Sequence, residues 1–166
     1  MNRGTTISLT TMALLSMAVV LTITFPQLVF AQTNQPSGTW KLNLAKSTFS
    51  SGSPPRSSTL TYETVGQGFR ATTEGIDAQG NPTKGVFGIY LYDGKSYPVT
   101  GVPDFDASSY KVVNDSTVEM SRTKAGKVVL TQTRVLSADG KTLTFTSTTT
   151  NTNGQQINNI VVYDKQ

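Results

Sequence analysis

From residue 38 onward the polar and apolar positions fall into short segments rich in threonine, valine, tyrosine and phenylalanine, each cut off by glycine, asparagine or aspartate. No stretch carries the spacing of an amphipathic helix, so the segments read as strands. The pattern predicts strands at Thr39–Leu44, Ser58–Val65, Phe69–Ile76, Lys84–Tyr92, Ser96–Val99, Tyr110–Val113, Thr117–Thr123, Lys127–Leu136, Thr142–Thr150 and Gln156–Tyr163. The connections decide the topology. Val65-Gly66-Gln67-Gly68, Asp93-Gly94-Lys95, Asn114-Asp115-Ser116, Lys124-Ala125-Gly126-Lys127, Ser137-Ala138-Asp139-Gly140-Lys141 and Asn151-Thr152-Asn153-Gly154 are short and hold residues that tolerate positive φ. Turns this tight join antiparallel neighbours, and an open meander of about ten strands would leave two unpaired edges. The predicted fold is therefore all-β, an antiparallel meander of about ten strands closed into a barrel. A two-sheet sandwich is the alternative, and it needs longer connections than most of these.

Two connections are longer. Ala45 to Ser57 contains Ser50-Ser51-Gly52-Ser53-Pro54-Pro55, too rich in helix breakers for a helical lid. Gly101 to Ser109 contains Val102-Pro103-Asp104-Phe105-Asp106, a proline-started loop carrying an aromatic. Loops held by a rigid barrel are where function concentrates.

Ahead of the strands the pattern changes. Arg3 is followed by a threonine-rich stretch and then by an uncharged apolar segment from Met12 to Phe25. That order is the order of a signal-peptide helix, and Val29 and Ala31 after Pro26 fit a peptidase site with cleavage after Ala31. An uncleaved anchor is the alternative, because Met12 to Ala31 is just long enough to span a bilayer. The expected organisation is a signal peptide over 1–31, a flexible lead-in over 32–37 and a β-barrel domain over 38–166, with a periplasmic or secreted destination. Contact with a membrane is expected only through the signal peptide before cleavage.

Composition narrows the chemistry. The chain has no cysteine, which excludes a disulfide framework, thiol catalysis and a lipidated-cysteine anchor, and no histidine, which excludes a zinc site or a Ser-His-Asp triad. Glycine-rich phosphate loops opening a helix are missing as well. No catalytic constellation, metal or cofactor is therefore expected. The net charge of +4 is spread without clusters, which does not favour nucleic acid. Asp104 and Asp106 have a spacing suited to calcium, but two carboxylates are too few and read as solvated loop acids.

Two segments attract attention. Val86-Phe87-Gly88-Ile89-Tyr90-Leu91-Tyr92 is apolar throughout, so both of its faces need cover. One face carries Val86, Gly88, Tyr90 and Tyr92, the other Phe87, Ile89 and Leu91. Whichever points away from the interior meets a loop, a ligand or another protein, which makes Phe87, Ile89, Leu91 and the loop residue Phe105 candidates for partner contact. Tyr90, Tyr92 and Tyr97 are candidates for ligand contact. In the hairpin from Thr117 to Leu136, a three-residue turn at Lys124-Ala125-Gly126 would put Val118, Met120 and Arg122 on one face with Val128, Leu130, Gln132 and Arg134. Arg122 and Arg134 on an otherwise apolar face would suit an acidic headgroup. The same turn at Ala138-Asp139-Gly140 would put Leu143 and Phe145 on the opposite face, with Thr133 and Val135, so one strand holds a bulge or one turn differs. Arginines facing outward into solvent remain the alternative.

Gly38-Thr39-Trp40-Lys41-Leu42 resembles the Gly-x-Trp that opens the first strand of lipocalins and fatty-acid-binding proteins. Together with Asp93-Gly94-Lys95-Ser96-Tyr97-Pro98-Val99-Thr100-Gly101 and Ser137-Ala138-Asp139-Gly140-Lys141-Thr142-Leu143, it makes the region from Gly38 to Lys165 similar to a group of uncharacterised exported bacterial proteins labelled lipocalin-like. The resemblance implies a lipocalin-like barrel in which Trp40 plugs the closed end; Phe49, Phe69 and Phe145 are also expected in the core. It departs from fatty-acid-binding proteins in two places. The Ser/Pro segment replaces their helical lid, and Val161-Val162-Tyr163 keeps only the tyrosine of their Arg-x-Tyr headgroup site. The expected function is a non-catalytic binding module for a small apolar or amphipathic molecule. The alternative is a structural or interaction protein of the cell envelope, with a protein partner on the apolar strand or the 101–109 loop.

Overall fold

A computed structural model describes residues 36–50, 52–150 and 156–166. Residues 1–31, expected to be a signal peptide, lie outside the described residues, as does most of the expected lead-in. Beyond it the chain forms β1 (Gly38–Leu42), a single 3-10 turn (Leu44–Lys46), β2 (Thr48–Phe49), β3 (Ser57–Val65), β4 (Gly68–Ile76), β5 (Pro82–Tyr90), β6 (Asp93–Thr100), β7 (Ala107–Asn114), β8 (Thr117–Lys124), β9 (Lys127–Leu136), β10 (Thr142–Thr150) and β11 (Gln156–Lys165). From β3 to β11 each strand pairs antiparallel with the next. β1 pairs with both β3 and β11, which closes the barrel. The expected all-β meander is thus observed, with β2 as an additional short strand.

Closure needs β11 to satisfy its free edge against a first strand that is broken in two. β1 covers Tyr163 to Lys165, and β2 covers Asn159 and Ile160. Between them the 3-10 turn arches over Val162, whose carbonyl accepts from Asn43 N at 2.8 Å and whose N–H donates to Ser47 Oγ at 3.0 Å. No backbone group is orphaned at the break, and Val162 is buried on the outer side beneath the turn. Asp164 fastens this latch: it accepts from Asn43 Nδ2 at 2.6 Å and from Lys46 Nζ at 2.9 Å. The hydrogen bond from Asn43 and the ammonium of Lys46 hold the Asp164 carboxyl below its ordinary pKa.

The turns resolve the register conflict in the two arginine hairpins. Lys124 pairs with Lys127 across the two-residue turn Ala125-Gly126, with φ of 48° and 77°, not across three residues. A bulge then shifts the ladder between Arg122 and Thr123, so Arg122 faces Leu130 and Val128 turns outward. At the next hairpin Ser137 and Thr142 bracket a four-residue loop, tied by Ser137 N to Thr142 O at 2.9 Å. That pairs Leu143 with Leu136 and Phe145 with Arg134, placing all four on the inner face. The end of the barrel carrying this loop is filled by Trp40, Val118, Leu136 and Leu143.

A second bulge corrects the expected faces of β5. Phe69 pairs with Tyr90 and Ala71 with Phe87, so β5 spends one residue more than β4 over the same span. Phe87 and Tyr90 therefore both point inward while Ile89 remains outside. The following seam is short: β5 and β6 pair only at Val86–Thr100 and Phe87–Val99. Pro98, next along β6, has no N–H to donate.

Two outcomes test this description. Ala125 holds a left-handed conformation that costs a non-glycine residue about 1 kcal/mol or more, and Asn-Gly suits this turn type better. Ala125→Asn is expected to raise stability by about 0.5 kcal/mol, read as a higher urea midpoint with unchanged slope. For Asp164, a folded-state pKa below the unfolded one contributes stability above the ordinary carboxyl range, and this is lost as pH falls through the folded value. Urea midpoints of the wild type and Asp164→Ala should differ at about pH 6 and converge by about pH 2.

Candidate functional site

Alternation along β7, β8 and β9 aims a polar and aromatic set into the lumen: Ser108 and Tyr110, then Met120 and Arg122, then Gln132 and Arg134. Arg134 is 1% exposed and Arg122 is 6% exposed. All ten Asp and Glu residues of the chain fall among the described residues, and none is buried. Neither arginine takes part in an ion pair.

The two guanidiniums are held by different means. Arg122 pairs across with Leu130, near the Ala125-Gly126 turn, whereas Arg134 pairs with Val118 near the opposite end. Arg134 sits in a tyrosine cage. Its Nη1 donates to Tyr92 Oη at 3.2 Å, and its guanidinium lies 5.4 Å from the Tyr62 ring and 5.5 Å from that of Tyr92. Burial works against this charge, but the phenols of Tyr62, Tyr92 and Tyr90 more than offset it, so the guanidinium's pKa moves upward. Burial also pushes the phenols of Tyr90, Tyr92 and Tyr110 above the ordinary tyrosine range, which keeps them as neutral hydroxyls. Tyr90 stacks on Tyr110 at 3.8 Å and its hydroxyl has no hydrogen-bond partner.

Arg134 Nε has no hydrogen-bond partner, and the same holds for Arg122, whose setting otherwise differs. Nη1 donates to Ser108 Oγ at 2.5 Å and Tyr110 Oη at 3.2 Å, Nη2 has only the Met120 sulfur at 3.7 Å, and Nε has no partner. Phe87 and Phe105 cover the guanidinium at 4.9 and 5.3 Å. Beside it lies a cavity of about 230 Å³. Leu60, Ala71 and Leu130 give that cavity apolar walls, Arg122 and Gln132 give it polar groups, and Arg134 does not line it.

The candidates from the sequence thus separate. Tyr90 and Arg122 line the cavity; Tyr92 and Arg134 lie in the adjacent cage. Tyr97 packs against the core edge and donates to Asp93 at 2.9 Å, away from the cavity. Phe87 and Phe105, considered as partner contacts, are turned to the cavity instead. Phe87 is brought in by the β5 bulge, and Phe105 by a loop pinned through Asp106 N to Thr123 O at 2.9 Å and Asp106 Oδ2 to Ala125 N at 2.9 Å. Ile89 and Leu91 remain exposed, at 48% and 40%. Asp106 is thereby committed to the loop, and among the described residues no group of three or more acidic side chains is placed to hold a metal. Ser108, Tyr110 and Tyr62 were not singled out in the sequence, although strict alternation from Arg122 across to β7 leads to the first two.

The cage has a direct test. Tyr92→Phe removes the acceptor of a buried charge and is expected to cost about 1–3 kcal/mol. In an Arg134→Met background the same change should cost less than about 0.5 kcal/mol, so urea melts of the double-mutant cycle should return a coupling of about 1 kcal/mol or more.

No family model matches the chain, and no curated protein matches it in sequence. Among solved structures it is similar to the zebrafish ileal bile acid-binding protein complexed with cholic acid, with a TM-score of 0.53 and 15% identity, covering 78% of this chain and 98% of that one. The likeness is one of fold, a closed antiparallel barrel.

Proposed function

We propose that the protein is an exported binding module that takes a small apolar or amphipathic molecule into its barrel, and that it is not an enzyme. The observation that carries the reading is the cavity itself, an apolar-walled space with a few convergent polar groups inside the barrel. Its fold neighbour, crystallised with cholic acid, supports the same reading. At about 230 Å³ the space falls below the ~300–1,000 Å³ of typical ligand pockets, so the occupant is a short chain or a single ring. Export rests on the N-terminal segment and implies a periplasmic or secreted site of action. Native mass spectrometry of protein purified from its source is expected to show a bound small molecule. Ala71→Leu, which fills part of the cavity from β4, is expected to weaken binding of an apolar probe at least about tenfold without lowering stability. Retention of full binding in this variant would move the site elsewhere.

A second reading is favoured by the exposure of Ile89 and Leu91 beside the short β5–β6 seam, which would suit contact with a protein partner. Self-association that disappears in Ile89→Lys with folding intact would support it.

A further inference from the structure

We infer that the ligand's polar end is a carboxylate, gripped by Arg122; this rests on the lumenal binding proposed above and gives it a chemical class. The argument is one of unspent donors. A guanidinium has five N–H groups in a fixed fork. Nη1 spends both of its own on Ser108 and Tyr110, which fixes the orientation of the plane. The edge formed by Nε and Nη2 is left with a thioether at 3.7 Å and nothing else, on a side chain that is 6% exposed and lines the cavity. Two parallel N–H groups on one edge are the complement of a carboxylate's two oxygens. The charge argues the same way, since no carboxylate is buried anywhere in the chain, and a buried cation without a counter-ion is costly.

Arg134 does not compete for this role. Its Nε is unpartnered too, but the side chain lies outside the cavity lining, against the rings of Tyr62 and Tyr92. Nor is the site the one the resemblance would supply, because the last strand carries Val161 where fatty-acid-binding proteins have the arginine of Arg-x-Tyr. The cation is provided from β8 instead, near the end of the barrel bearing the 101–106 loop, and Phe105 of that loop covers it.

The test compares three probes with the same tail and different heads, octanoate, 1-octanol and octylammonium, by isothermal titration to the full chain at neutral pH. Octanoate is expected to bind at least about tenfold more tightly than octanol, with octylammonium weakest. Equal binding of octanoate and octanol, or tighter binding of octylammonium, would overturn the headgroup assignment and leave lumenal binding standing. Failure of all three to bind would remove the lumenal reading and this inference with it. In Arg122→Gln the preference for octanoate over octanol is expected to vanish. Arg122→Lys, which keeps the charge and loses the fork, should retain only part of it. The wild-type comparison stands even if a variant fails to fold.

Discussion

Two guanidiniums enclosed by a barrel that gives them no carboxylate constrain how the rest of the lumen is built. A buried cation must be compensated by hydrogen bonds, by aromatic faces or by a ligand. The interior supplies the first two in unequal shares. Around Arg134 the rings of Tyr62 and Tyr92 and one hydrogen bond from Nη1 hold the charge, with Nε left unpartnered and the side chain outside the cavity lining. Arg122 likewise has an unpartnered Nε, but it lines a cavity of about 230 Å³. The asymmetry between the two like charges is therefore one of position, since one borders the cavity and the other does not.

That asymmetry depends on two local departures from strict pairing. Without the β8–β9 bulge, the two-residue turn at Ala125-Gly126 would set Arg122 against Val129 and place the two arginines on opposite faces. Without the extra residue in β5, Phe87 and Tyr90 would face opposite sides, and the cavity would lose one of its aromatic walls. Bulges that re-aim side chains in this way are a recurrent feature of functional sites in sheets. The same economy governs closure, where the 3-10 turn supplies Asn43 N and Ser47 Oγ in place of a continuous strand.

Much of the fold was legible in the sequence because period-two patterning and turn chemistry act locally. Strands β9 and β10 coincide with their expected spans, and the meander follows from connections too short for anything else. The inward placement of Arg122 and Arg134 was left open by the sequence, because it hinges on whether a turn has two, three or four residues and whether a bulge follows. Glycine at Gly126 and Gly140 signals a turn without specifying which. The faces of β5 were misjudged for a related reason, since an all-apolar run gives no alternation to reveal an inserted residue. Tyr62 and Tyr110 escaped notice because a buried tyrosine looks the same in sequence whether it fills a core or caps a charge.

The central claim, that Arg122 is the buried cation bordering the cavity and Arg134 is not, can be read at the guanidiniums themselves. An NMR spectrum selective for arginine Nε–H groups, assigned through the Arg122→Gln and Arg134→Met variants, should show the Arg122 signal moving downfield as octanoate is titrated in, while the Arg134 signal stays in place. Saturation of binding with the Arg122 signal unmoved, or with Arg134 shifting in its stead, would contradict the account.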